Sequence, residues 1–310
     1  MSRKRCQTPT FRKLVSDTFF YVALMMLLTL FTGEAVRAAG SDDAPVSLEK
    51  HEALAERYLD FLSAIDAKYF ARAEALNNET KSEIQRFSYD FADYEVKVNR
   101  GPVIEKMGRI LTEGKKPVLP FQRPTVFGRH IVLDVHPKSP LVGTLHMTLL
   151  FQYEADGTSA IMSWFDVLSG ANRDEDLAAL KVAMDQVFAE HSADAAPYRA
   201  RLCGGSGMDI HRTRRKTDCA GLSFQGMPML EATEENFELV TGAFDGFLDA
   251  YFTVLDRRRD EPYSNAETAA QQTMRREYFE YNLTSDLFFS SGYPPFEVWS
   301  LVVAPPTVSF

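Results

Sequence analysis

Cysteine is scarce in this chain: there are three among 310 residues, at positions 6, 203 and 219. A framework dense in disulfides is thereby excluded, and the fold must rest on burying apolar surface. Positive charge is also in deficit, with 34 Lys and Arg against 43 Asp and Glu for a formal net charge of -9. A general nucleic-acid binder needs a basic surface to displace counterions from phosphate, so that class is set aside. Any anionic ligand must instead meet a local basic patch. The sequence has no internal repeat and no low-complexity tract. Nor does the most apolar run, Phe19 to Phe31, reach the roughly 20 residues that cross a bilayer.

What is present is a large apolar fraction, 45% hydrophobic and 12% aromatic, enough for one large domain or two small ones. The start of the chain differs in character. Arg3, Lys4, Arg5, Arg12 and Lys13 precede the apolar run, and Ala35, Val36, Arg37, Ala38 and Ala39 follow it. This is the layout of a secretory signal peptide, with an uncleaved signal anchor or an organellar presequence as alternatives. The expected organisation is a signal or anchor over 1–39 and a single domain over 40–310. The expected location is periplasmic or secreted, or else anchored by the N-terminal segment or in an organelle intermembrane space. Any membrane contact would run through an uncleaved N-terminal segment. Removal of that segment leaves Cys203 and Cys219, which either pair, contributing about 3 kcal/mol on a chain-entropy account, or remain two thiols.

Along the rest of the chain, Leu54, Tyr58, Leu62 and Ile65 recur at helical spacing behind a candidate N-cap, Ser47, and helical pieces are expected over 67–93. Tyr94 to Asn99 alternates as a strand, and an extended stretch runs from Val103 to Leu111. Strands are predicted over Arg129 to His136, Thr144 to Tyr153 and Ala160 to Val167, and the short turns between them imply antiparallel pairing. A helix over Asp174 to Glu190, a shorter one near Tyr198 and a strand over Gly221 to Gln225 follow. Phe237, Val240, Phe244, Phe247, Leu248, Tyr251 and Leu255 then mark a long helix capped by Thr233, with acids at its start and Arg257, Arg258 and Arg259 at its end. From Glu277 to Leu283 the period changes to two, which predicts a strand with Tyr278, Glu280 and Asn282 on its polar row, one of two closing strands. The expected fold class is α+β, a large mainly antiparallel sheet flanked by helices on both faces.

Two strands carry polar rows. His130, Asp134 and His136 lie opposite Ile131, Leu133 and Val135, while Thr144, His146, Thr148 and Gln152 lie opposite Leu145, Met147, Leu149 and Phe151. Such a face is either solvated and internally hydrogen-bonded or lines a wet cavity. Between Arg199 and Lys216, the cations Arg201, His211, Arg212, Arg214, Arg215 and Lys216 form the one basic cluster, either a solvated loop or a carboxylate site.

The segment DAYFTVLDRRRDEPYSNAETAAQQTMRREYFEYNL resembles the end of the oxygen-dependent coproporphyrinogen III oxidases, which carry D-A-Y, an Arg pair, a Tyr and R-R-G-R-Y-V-E-F-N-L. Upstream, V-L-D-V-H-P-K-S-P is similar to the family's S-L-V-V-H-P-x-N-P, L-H-M-T-L-L-F to S-H-A-N-V-R-F, and M-S-W-F-D-V-L-S-G to G-G-G-x-D-L-T-P. The resemblance runs from about Tyr94 to Pro306. It implies an enzyme that uses molecular oxygen, with no organic cofactor or metal, to convert propionate side chains of a tetrapyrrole to vinyl groups in heme biosynthesis. It also implies a homodimer. On this resemblance His146 is the proton-managing residue and Asp166 engages pyrrole N–H groups. His136, His211, Arg212 and Arg275 favour substrate carboxylates, and Glu280 and Asn282 shape the wall. Three histidines match positions considered for metal binding in the family, but the fourth reads Lys181.

The departures fall where substrate should be held. The family's GGG is Met162-Ser163-Trp164, the Arg of R-G-R-Y is Glu277, and W-D-R-G-T and G-[GS]-R-x-E-S-I-L are replaced by Ser285-Asp286-Leu287 and roughly Tyr293 to Glu297, so an arginine clamp is lost. Two alternatives follow: a non-catalytic binder of a tetrapyrrole or another acid, and an interaction module whose cavity is filled by Trp164, Phe165 and Trp299.

Overall fold

Among the described residues, seven strands pair in chain order, each antiparallel to the next, to make one continuous sheet. The computed structural model describes residues 48–117, 123–203, 217–226, 229–284 and 294–309. The expected signal segment, the Ser47 cap, His211 and Arg212 lie outside the described residues. The strands are β1 (Glu83–Ser88), β2 (Ala92–Asn99), β3 (Ile104–Gly114), β4 (Phe127–Pro137), β5 (Leu145–Tyr153), β6 (Ser159–Val167) and β7 (Leu222–Ser223). The helices are α1 (Leu48–Leu76), α2 (Asp174–Glu190), α3 (Ala196–Cys203), α4 (Glu234–Arg258), α5 (Asn265–Thr284) and α6 (Phe296–Val302). Residues Pro45–Phe310 form one compact unit. No helix among the described residues is long and apolar enough to cross a membrane.

Period-two alternation gives the sheet two unlike faces. Ile131, Leu133, Val135, Met147, Leu149, Phe151 and Phe165 point to one side and pack on Tyr58, Leu62 and Ile65 of α1 and Phe237, Phe244 and Phe247 of α4, the main core. Apolar residues at helical spacing commit one stripe of each long helix to that core. Thr233 caps α4 by accepting a hydrogen bond from the Asn236 amide, as expected. Where α1 and α4 meet at the surface, Lys68 bonds Asp245 at 3.0 Å and Arg72 bonds Asp249 at 2.9 Å. Pairs this exposed set the alignment of the helices more than they stabilise it. Arg109, almost wholly buried, reaches from β3 to Asp66 of α1 at 2.6 Å and to Glu95 at 2.9 Å.

The other face carries Tyr94, Val96, Ile110 and the polar rows, and it is covered by Met274 and Tyr278 of α5 and Val298, Trp299 and Val302 of α6. Gly108 makes this approach possible, since a Cβ there would stand 2.9 Å from a Val302 methyl. Helices therefore flank the sheet on both sides, as the strand pattern implies.

Three expectations are corrected. The strand expected over 277–283 is the last two turns of α5, whose buried residues Gln271, Met274, Arg275, Tyr278 and Asn282 recur every three or four positions. Six residues of aromatic alternation satisfy a strand template, but the helix enters them already formed and keeps its period. The second closing strand is likewise absent among the described residues, where α6 stands instead. Over 67–93, α1 runs unbroken to Leu76 and is followed by β1, an edge strand whose charged, exposed side chains hide its alternation.

Candidate functional site

Register places the chemistry. One row across the sheet reads Val98, Gly108, Asp134, His146, Asp166, each residue directly opposite the next. Cross-strand neighbours sit within about 5.5 Å at the Cβ, so His146 is flanked by a carboxylate on either side. It bonds to one of them. His146 Nδ1 lies 2.6 Å from Asp134 Oδ1, and the Tyr278 hydroxyl of α5 lies 2.8 Å from both Asp134 Oδ2 and His146 Nδ1. The three side chains are buried, and Asp134 is fully so. The phenol donates to Asp134 Oδ2, and the approach of His146 Nδ1 to both the carboxylate and the phenol closes an acid–imidazole–phenol ring.

Asp166 faces a different environment. Its Oδ1 accepts from the amides of Val167, Ala220 and Gly221 at 2.8, 3.0 and 2.8 Å, and Oδ2 accepts from the Cys219 amide at 2.8 Å. Burial pushes this carboxyl up to about 6, while the amides and the Thr217 side chain pull it down. A carboxylate offers about four acceptor sites, so the chain's own donors saturate the group expected to meet pyrrole N–H. The cradle depends on Gly221, where a Cβ would sit 1.9 Å from the Phe165 carbonyl oxygen. Cys219 holds φ 58° beside it and is joined to Cys203 by a disulfide, so the two cysteines do pair.

The cationic candidates are also engaged within the fold. His136 is fully buried, with Nε2 3.3 Å from the Val302 carbonyl and Nδ1 3.5 Å from Thr144 Oγ1. Burial first, then the charges of Lys106 and Arg275, hold its imidazole well below the ordinary range. It is therefore neutral, and its 3.7 Å approach to Asp134 is not an ion pair. Arg275 pairs with Glu105 and donates to Thr307 Oγ1 at 2.8 Å and the Pro137 carbonyl at 3.1 Å. Lys106, opposite His136 in register, donates to the Ala304 carbonyl. Burial pushes its ammonium down to about 7, against the pull of Asp134. Asn282 is buried and donates to the Tyr278 carbonyl at 2.8 Å, whereas Glu280 is exposed. A strand would have set these two on one wall, and the helical period separates them.

The structure thus brings His146, Asp166 and His136 onto one face of the sheet, with Arg275 and Asn282 above it on α5, and leaves Glu280 outside. Among the described residues no group of three or more His, Cys, Asp or Glu is arranged to hold a metal ion. Beyond the helix-covered part, the same face continues through His130, Val132, Thr148, Leu150, Met162 and Trp164, all partly exposed. The Trp164 ring lies 5.4 Å from that of His146, so this ledge adjoins the buried ring. Sequence reasoning placed Asp134 on the polar row but gave it no role, and it passed over Lys106. A buried lysine opposite a histidine becomes legible only once the β3–β4 register is known. Against known families, residues 60–300, which contain all seven strands, match the family model described as coproporphyrinogen III oxidase.

Proposed function

The chain belongs to the coproporphyrinogen III oxidase family, and from that membership we propose that it oxidatively decarboxylates propionate side chains of a tetrapyrrole with molecular oxygen. The balance is one propionate, one dioxygen and one proton giving a vinyl group, carbon dioxide and hydrogen peroxide. The carbon–carboxylate bond breaks, a hydrogen leaves the carbon nearest the ring, and dioxygen takes the two electrons. No organic cofactor or metal enters this reading. The observation that carries it is the Asp134–His146–Tyr278 ring beside the partly exposed ledge of Trp164, Met162 and Leu150. A flat apolar ligand lies across such a ledge, and a fixed imidazole at its edge can move a proton without reorganisation. His211 and Arg212 remain proposed carboxylate partners. The cystine supports export of the protein, and family membership supports a homodimer, which a mass measurement in solution tests.

A second reading has its own observation. Asp166, the carboxylate expected at the tetrapyrrole centre, is saturated by backbone amides, which favours a protein that binds a tetrapyrrole without turning it over. The test separates the two. Coproporphyrinogen III prepared without oxygen is added to the protein, air is admitted, and carbon dioxide and product are followed, with His146→Ala alongside. Turnover lost in the variant is the expected result. Tight binding without carbon dioxide would move the assignment to the second reading, and neither binding nor turnover would end both.

A further inference from the structure

Asp134 is fully buried on a covered face of the sheet, and a lone buried carboxylate is costly unless it is hydrogen-bonded. This one is bonded on both sides: Oδ1 lies 2.6 Å from His146 Nδ1, and Oδ2 accepts from the Tyr278 hydroxyl at 2.8 Å. Across the same row Asp166 turns both oxygens to the amides of 167 and 219–221. Of the two carboxylates that flank His146 in register, Asp166 is therefore committed to backbone amides and Asp134 is the one that meets the imidazole.

We infer that Asp134 is a positioning residue, which fixes His146 in the tautomer with its proton on Nδ1 and so presents Nε2 as the proton-accepting nitrogen. A carboxylate on one ring nitrogen sets both the tautomer and the ring's orientation. The 2.8 Å distance between Tyr278 and His146 Nδ1 gives the inference a definite consequence. With valine at 134, the phenol no longer has the Asp134 carboxylate to donate to and donates to Nδ1 instead, which moves the ring proton to Nε2.

The inference deepens the proposed decarboxylase and rests on that reading for its catalytic consequence, but its primary readout does not require turnover. The full chain labelled with nitrogen-15 in histidine is observed by ring-nitrogen NMR, as wild type, Asp134→Val, Asp134→Asn and Asp166→Asn. In the wild type, the His146 proton is expected on Nδ1, and finding it on Nε2 overturns the inference before any variant is made. The proton is expected to move in Asp134→Val and to stay on Nδ1 in Asp166→Asn. The reverse pattern assigns the role to Asp166. If Asp134→Val does not fold, Asp134→Asn is read for turnover at unchanged KM, where about a 10²-fold loss in kcat is expected and an unchanged kcat overturns the inference. A fixed tautomer without any turnover leaves the positioning intact and removes only the decarboxylase.

Discussion

Lys106 occupies a site that resists its charge. It is 1% exposed, its ammonium has one carbonyl partner at Ala304, and Arg275 stands near enough to oppose it. With its folded pKa at about 7 and its unfolded value near 10.4, the unfolded chain holds more protons anywhere between these limits. Stability must therefore rise with pH across that window, by up to roughly 1.4 kcal/mol per unit from this group alone. We expect Lys106→Met to remove that rise. Between pH 7 and 9 the wild type should gain roughly 2 kcal/mol relative to the variant, measured as urea midpoints at each pH. Parallel curves for the two proteins would show that Lys106 stays charged through another route. At this scale alternation was legible in the sequence: His146, Asp134 and His136 share a face as the period of two requires. Partners were not legible, because hydrogen bonds from Gly221 to Asp166, or from Tyr278 to Asp134, join residues 55 and 144 positions apart.

Among the elements, α5 shows how a local signal is outvoted. Ser264 and Glu267 form a reciprocal capping box, with the Ser264 amide 2.6 Å from the Glu267 carboxylate and the Glu267 amide 3.3 Å from Ser264 Oγ. The S-x-x-E pattern is readable in the sequence as a helix start, and a helix begun there continues through Tyr278 and Asn282 unless something stops it. The aromatic alternation of Tyr278 to Leu283 satisfies the strand period only because the stretch is short. The antiparallel hairpins β4–β5 and β5–β6 were legible for the opposite reason, since alternations of nine and eleven residues joined by short connections leave little choice of period. The helical period of α5 makes a prediction that a strand would not. Glu280→Ala on the solvent side should change stability by less than about 0.5 kcal/mol. Asn282→Ala, which removes a buried bond to the Tyr278 carbonyl, should cost about 1 kcal/mol. Chemical denaturation of both variants decides the matter, because equal losses would place the two residues on one face after all.

For the molecule as a whole, the disulfide is the link between a distant segment and the polar face. Cys203 ends α3, and Cys219 begins the turn whose amides hold Asp166 before the chain enters β7. Closing a loop over a sequence separation of 16 restricts the unfolded chain enough to contribute about 3 kcal/mol if the bridge is well accommodated. The native consequence is local, because the sheet from β2 to β5 is held by its own ladders and by α1 and α4. Replacing both cysteines by serine should therefore lower the urea midpoint by an amount corresponding to about 3 kcal/mol. The same replacement should speed amide exchange at position 219, Ala220 and Gly221 selectively, leaving β3 and β4 protected as before. If the midpoint falls but exchange quickens uniformly, the bridge acts on the unfolded chain alone. If the midpoint does not move, the Asp166 cradle and the packing of Phe224 against Phe165 and Phe188 suffice to hold this edge of the sheet.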